Sequence, residues 1–234
     1  MLYILIGFAP GLYWLWYFYK RDKLEPEPKK MIIYAYLTGI LATFVVIGTQ
    51  RLFKLDMFTR VVIAAPILEE FAKFLMVWVF FYRNKNFNEP MDGIVYSAAV
   101  ALGFASLENA MYLVRAYSQS PSMLSNTLLI RAFLSVPGHA LFASFWGYAL
   151  ARYKFSSNKK IMVVFGGLLM SMIMHGLFNF LCIVQVFSSF GLLVLVAVMW
   201  GIMNKRITKA ESDSPYAPIS FLGWKKKRKV RDKK

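Results

Sequence analysis

Seven apolar stretches, each near the ~20 residues a helix needs to cross a hydrocarbon layer, follow one another along this chain with short charged connectors between them. They lie at about 2–19, 31–50, 58–82, 91–114, 127–150, 161–183 and 186–203. A bilayer core offers no water to unpaired backbone groups, so such stretches must be helical. The expected fold is all-α, a polytopic transmembrane bundle of about seven spans. With 58% apolar residues among 234, a single soluble core could not bury this much apolar surface.

The division between the last two spans rests on Val184 and Gln185, with a second turn available at Ser188, Ser189 and Gly191. No basic region precedes the run at 2–19, so it reads as a retained first span and not a signal peptide. The single cysteine, Cys182, excludes an internal disulfide and a thiolate metal cluster.

A net charge of +16 would suit nucleic acid, but the basic residues lie in the connectors and after Met203, beside apolar runs. Anionic lipid is the expected counter-charge, with no nucleic acid. Lys20, Arg21, Lys23, Lys29 and Lys30, then Arg83 and Lys85, then Arg152, Lys154, Lys159 and Lys160 fall in alternate connectors, on the same side as the tail. The opposite side holds only Arg51, Lys54, Arg60 and Arg115. Basic residues stay cytoplasmic, which predicts the N-terminus outside and the C-terminus in the cytoplasm. Residues 1–203 read as the membrane domain. Residues 204–234, with Pro215, Pro218 and the basic run 225–229, read as a disordered cytoplasmic tail able to meet anionic lipid.

Ionisable residues inside the spans carry the chemistry. A carboxylate at mid-membrane costs at least ~2.5 kcal/mol on the lenient scale, so each one calls for a polar cavity. The third span contains Glu69, Glu70 and Lys73; Lys73 lies one helical turn from Glu69, while Glu70 points about 100 degrees away. One glutamate is thereby suited to a structural role and the other to a reactive one. Pro66 just before the pair removes a backbone donor. Phe104, Glu108 and Asn109 stand in the fourth span, where Glu108 has Arg115 or Arg131 as a possible partner. Pro137, Gly138 and His139 stand in the fifth, and His175 and Asn179, one turn apart, in the sixth.

Measured from the outer end of each span, Glu69, Glu108, His139 and His175 lie roughly 9 to 18 Å deep, so four helices can converge on one pocket. Such a pocket suits a carboxylate acting as general base on water, with a histidine or amide steadying the oxyanion. Two histidines and a glutamate would equally hold a zinc ion, and the spacing favours neither. No His-Glu-x-x-His helix, Gly-x-Ser-x-Gly elbow or phosphate-binding glycine loop is present.

Taken in order, Glu69-Glu70-x-x-Lys73, Phe104-x-x-x-Glu108, His139 and His175-x-x-x-Asn179 on separate apolar helices resemble the PrsW family of bacterial intramembrane proteases. The resemblance covers about residues 1–203, including the connector Glu25-Pro26-Glu27-Pro28. It implies a multi-pass protein of the bacterial cell membrane and a glutamate-dependent, metal-free peptidase without cofactor, similar to type II CAAX-processing proteases. By that analogy Glu69 or Glu70 activates water with help from Glu108, His175 and Asn179 hold the oxyanion, and His139 lies near substrate, with Lys73 and Phe104 in support. Glu108 stands where the CAAX relatives carry histidine, which leaves the proton relay open. The implied partner is a single-pass anti-sigma factor, cut at site 1 in a stress response that frees a sigma factor. The rival readings are a proton- or cation-coupled transporter using the same residues, or a catalytically silent membrane scaffold.

Overall fold

The computed structural model describes residues 2–158, 160–184 and 188–218, all helical apart from connectors. In chain order the elements are α1 (Leu2–Tyr19), α2 (Lys29–Gln50), α3 (Met57–Thr59), α4 (Ala65–Phe80), α5 (Pro90–Tyr117), α6 (Pro121–Ile130), α7 (Val136–Phe155), α8 (Met162–Val184) and α9 (Ser188–Asp213). Two π-helical segments, Arg60–Ala64 and Arg131–Ser135, join α3 to α4 and α6 to α7. The result is seven helical rods among the described residues. Five are long and apolar enough to cross a membrane: Lys29–Gln50, Pro90–Tyr117, Pro121–Phe155, Met162–Val184 and Phe190–Asp213. The rod running from Met57 to Phe80 falls outside that measure because it carries Arg60, Glu69, Glu70 and Lys73. The remaining rod is α1.

Helix α5 is the axis of the bundle. It packs against α1, α2 and α7 along most of its length and is buried on every side from Pro90 to Ser106. Small residues allow this closeness, as they do wherever helices associate without a hydrophobic drive. A Cβ added to Gly103 would stand 1.9 Å from the Tyr36 carbonyl oxygen, and one added to Gly39 would stand 1.9 Å from that of Val100. On the outer helices, apolar side chains such as Leu37, Phe44, Phe71, Leu75, Leu169 and Leu193 face outward, as lipid contact requires.

The two π segments have one cause. In this register a carbonyl at residue i bonds the N–H at i+5, as Arg60 does with Ala65 and Arg131 with Val136. The next carbonyls, those of Val61 and Ala132, would turn to positions 66 and 137, and both are prolines without an N–H. Each carbonyl is instead taken by another helix: Asn179 Nδ2 donates to Val61 at 2.9 Å, and Trp14 Nε1 to Ala132 at 2.9 Å.

Two expectations need adjusting. Helix α9 does not end near Met203 but continues to Asp213, and Ser214 Oγ then donates to Glu89. The start of the expected tail is thus part of the folded body, because α9 stays packed, with Ile207 and Ala210 in the core. The basic run 225–229 lies outside the described residues. Between the last two spans, α8 ends at Val184 and α9 begins at Ser188; Gln185 also lies outside the described residues.

Candidate active site

Four rods bring their polar residues to one place. Helix α4 contributes Glu69, Glu70 and Lys73, α5 contributes Phe104 and Glu108, α7 contributes His139, and α8 contributes His175 and Asn179. Glu69, Glu108, His139, His175 and Asn179 border a cavity of about 550 Å³ that is walled by Phe104, Phe142 and Phe178 and also lined by Arg131, while Glu70 and Lys73 lie buried behind it.

The adjacent glutamates differ sharply in their surroundings. Glu70 is fully buried and accepts four hydrogen bonds. Lys73 Nζ (2.8 Å) and His175 Nδ1 (3.1 Å) donate to Oε1, while Trp146 Nε1 (3.1 Å) and Ser171 Oγ (2.8 Å) donate to Oε2. Its acceptor capacity is spent. Glu69 is buried too, but its Oε2 has no hydrogen-bond partner. The nearest basic groups are Lys73 Nζ at 3.6 Å and the His175 ring at Nε2, 3.9 Å away. That second gap is too long for a direct hydrogen bond.

His175 is held in a fixed plane. Its ring stacks on Phe142 at 4.6 Å between centroids, and its Nδ1 is committed to Glu70, so Nε2 faces Glu69. His139 bridges the two halves of the network, with Lys73 Nζ at 2.9 Å from Nδ1 and Glu108 Oε2 at 3.1 Å from Nε2. An ammonium only donates, so Nδ1 must accept, and the ring proton then sits on Nε2 and points to Glu108. Lys73 also lies over the Phe104 ring, 4.2 Å from its centre.

Of the two arginines open to Glu108, Arg131 is the partner, at 2.5 Å. Arg131 Nε donates to Asn109 Oδ1, and Asn109 Nδ2 to the Gly7 carbonyl, which ties this edge of the site to α1.

Every residue expected from the sequence therefore meets in one place. Asn179 lines the same cavity, with one of its amide hydrogens given to Val61. Sequence reasoning missed Trp146 and Ser171, the two donors to Glu70 Oε2. Ser171 had a signal, since it precedes His175 by one turn on the same face. Trp146 had none.

The family description that matches residues 27–203 reads PrsW family intramembrane metalloprotease. The chain belongs to the PrsW family. Among its relatives, Protease PrsW of Geobacillus kaustophilus is 33% identical over 85% of this chain and 88% of its own length. Protease PrsW of Clostridioides difficile is 29% identical over 97% and 98%, and that of Bacillus subtilis 28% over 88% and 94%. No solved structure matches the chain. This PrsW-family protein is accordingly a multi-pass membrane protease of the hydrolase class.

The word metalloprotease makes the donor set worth testing. Glu69, His139 and His175 each offer a ligand atom, and these atoms lie within 4.8 Å of one another. The orphaned Glu69 Oε2 and the His175 Nε2 beside it are available donors. His139 is not, because Lys73 occupies one ring nitrogen and the proton that this imposes occupies the other. A catalytic zinc takes three protein ligands, and the set supplies two. The Lys73 ammonium already brings a positive charge to within 3.6 Å of Glu69 Oε2. In this arrangement the residues do not fit a resident metal ion.

Proposed function

We propose that this protease cleaves a single-pass membrane protein by metal-independent hydrolysis, with Glu69 as the general base. The observation that carries this reading is the contrast between the two adjacent glutamates: Glu70 accepts four hydrogen bonds, and Glu69 Oε2 accepts none. A base must keep a lone pair for its water, and only Glu69 has one to spare.

In this mechanism a water between Glu69 Oε2 and His175 Nε2 gives its proton to Glu69 as its oxygen attacks the scissile carbonyl. The carbonyl oxygen becomes an oxyanion, met by His175 when it is protonated at Nε2 and by the second amide hydrogen of Asn179. Glu69 then passes its proton to the departing amine. Glu70 acts through others, orienting His175 and Lys73. His139 and Glu108 link that pair to Arg131 and border the space where substrate backbone would lie.

The substrate assignment is an anti-sigma factor cut at site 1, followed by release of its sigma factor, and it rests on the family resemblance. The orientation assignment, N-terminus outside and C-terminus cytoplasmic, rests on the basic connectors. It sets the candidate site toward the outer half of the bilayer.

The test uses membranes holding the full chain and a candidate single-pass substrate. Glu69→Ala, Glu70→Ala and His175→Ala are each expected to abolish cleavage while the protein stays inserted. Cleavage persisting in all three variants would refute the proposed chemistry.

A further inference from the structure

A second group of acids lies outside the lining of the catalytic cavity. Asp22 and Glu27 come from the connector between α1 and α2, Glu89 from the residue preceding α5, and Asp92 from the first turn of α5. All four are buried, at 3%, 1%, 1% and 0% exposure. None of the ion pairs among the described residues involves them. The nearby cation, Lys154, is turned to the carbonyls of Tyr82 and Phe87, at 2.6 Å each.

Local structure uses only half of their oxygens. Asp92 Oδ2 accepts from the backbone N–H groups of Asn88 and Glu89, Asp22 Oδ2 from that of Glu27, Glu27 Oε2 from the Tyr96 hydroxyl, and Glu89 Oε2 from Ser214. The other oxygens, Asp22 Oδ1, Glu27 Oε1, Glu89 Oε1 and Asp92 Oδ1, are buried and take no N–H or O–H donor among the described residues, as is true of Glu25 Oε2 beside them, so carboxyl faces carboxyl, Asp22 beside Glu89 and Glu27 beside Asp92. Capping of α5 explains the Asp92 contacts, loop and tertiary hydrogen bonds explain the rest of the first set, and the second set is left unexplained. Ligand oxygens of Asp22, Glu89 and Asp92 lie within 4.8 Å of one another.

We propose that Asp22, Glu89 and Asp92 bind a hard divalent cation, calcium or magnesium, with Glu27 and Glu25 completing an all-oxygen site. Carboxylate oxygens without nitrogen or sulfur donors select this class of ion over zinc or copper. The bound ion ties the α1–α2 connector to the start of α5 and, through Glu89 and Ser214, to the segment that follows α9. The Glu25-Pro26-Glu27-Pro28 connector thereby acquires a function separate from peptide hydrolysis.

The test uses the full chain in detergent, stripped with a chelator. Calcium or magnesium, titrated separately, should raise the unfolding temperature by roughly 5 °C at a hundred-fold excess over Kd. Terbium should bind at the same site and give luminescence sensitised by Tyr96. The effects should survive Glu69→Gln and be lost in Asp22→Asn and Glu89→Gln. Should either variant fail to fold, the wild-type titration and terbium signal still decide the matter. No shift with either cation and no terbium signal would overturn the site. So would a shift that Asp22→Asn leaves intact and Glu69→Gln removes, since the ion would then be in the catalytic cavity. Stabilisation by acid alone would mean that the carboxyls share protons instead, and would overturn it too.

Discussion

The side-chain amide of Asn179 donates to the Val61 carbonyl at 2.9 Å, supplying the hydrogen bond that Pro66 is unable to give. One residue of the candidate site thus closes a gap in the backbone of the neighbouring rod. Removing it should be felt as lost structure as well as lost activity. Asn179→Ala is expected to destabilise the protein by about 1 kcal/mol, the net worth of one part-buried hydrogen bond. Pro66→Ala restores an N–H at position 66, so the Asn179→Ala penalty should shrink in that background. A double-mutant cycle read by thermal unfolding checks this, and equal penalties in both backgrounds would contradict it.

The adjacent glutamates should separate by phenotype. Glu69→Gln is expected to slow cleavage roughly a hundred- to ten-thousand-fold with little change in stability, because Glu69 Oε2 has no donor to lose. Glu70→Gln disturbs four donors, including buried Lys73, and should cost stability of about 3–5 kcal/mol. Parallel assays of turnover and unfolding would detect the reverse assignment.

Chelation offers a direct check on the metal-independent reading. Cleavage by purified protein should continue after EDTA or phenanthroline, and added zinc should not raise it. Activity that vanishes with the chelator and returns with zinc would require His139 to be freed from Lys73.

Close packing around the axial helix leads to a stability prediction away from any chemistry. Gly103→Leu places atoms where the Tyr36 carbonyl already stands, so α2 and α5 must move apart. The variant should lose at least about 3 kcal/mol or fail to accumulate in the membrane, as cellular abundance would show.

The sequence was most legible where bilayer physics left few choices. The seven rods follow from apolar runs of spanning length, and the convergence of Glu69, Glu108, His139 and His175 follows from the cost of placing such groups at similar depth in lipid. The unequal surroundings of Glu69 and Glu70 were suggested by their angle on the helix, but which one stays free depends on Trp146 and Ser171 from other helices. Pro66 and Pro137 were visible as interruptions. Their conversion into π segments depends on Asn179 and Trp14, partners separated from Val61 and Ala132 by more than a hundred positions, a distance at which periodicity carries no information. The tail was misjudged from Asn204 to Asp213 because local polarity spoke for solvent, whereas helix packing kept that segment folded.

The axial placement of α5 has a consequence for how such a chain can vary. With a mean hydropathy of 1.3, against 2.1 for α2 and 1.9 for α8, it is the least oily of the five spanning candidates, yet it is the most enclosed. Protein, not lipid, is the solvent its side chains answer to. Polar groups can therefore be exchanged along its inner surface without renegotiating how the molecule sits in the bilayer, so new specificities can arise at the centre while the rim keeps its fit to the membrane.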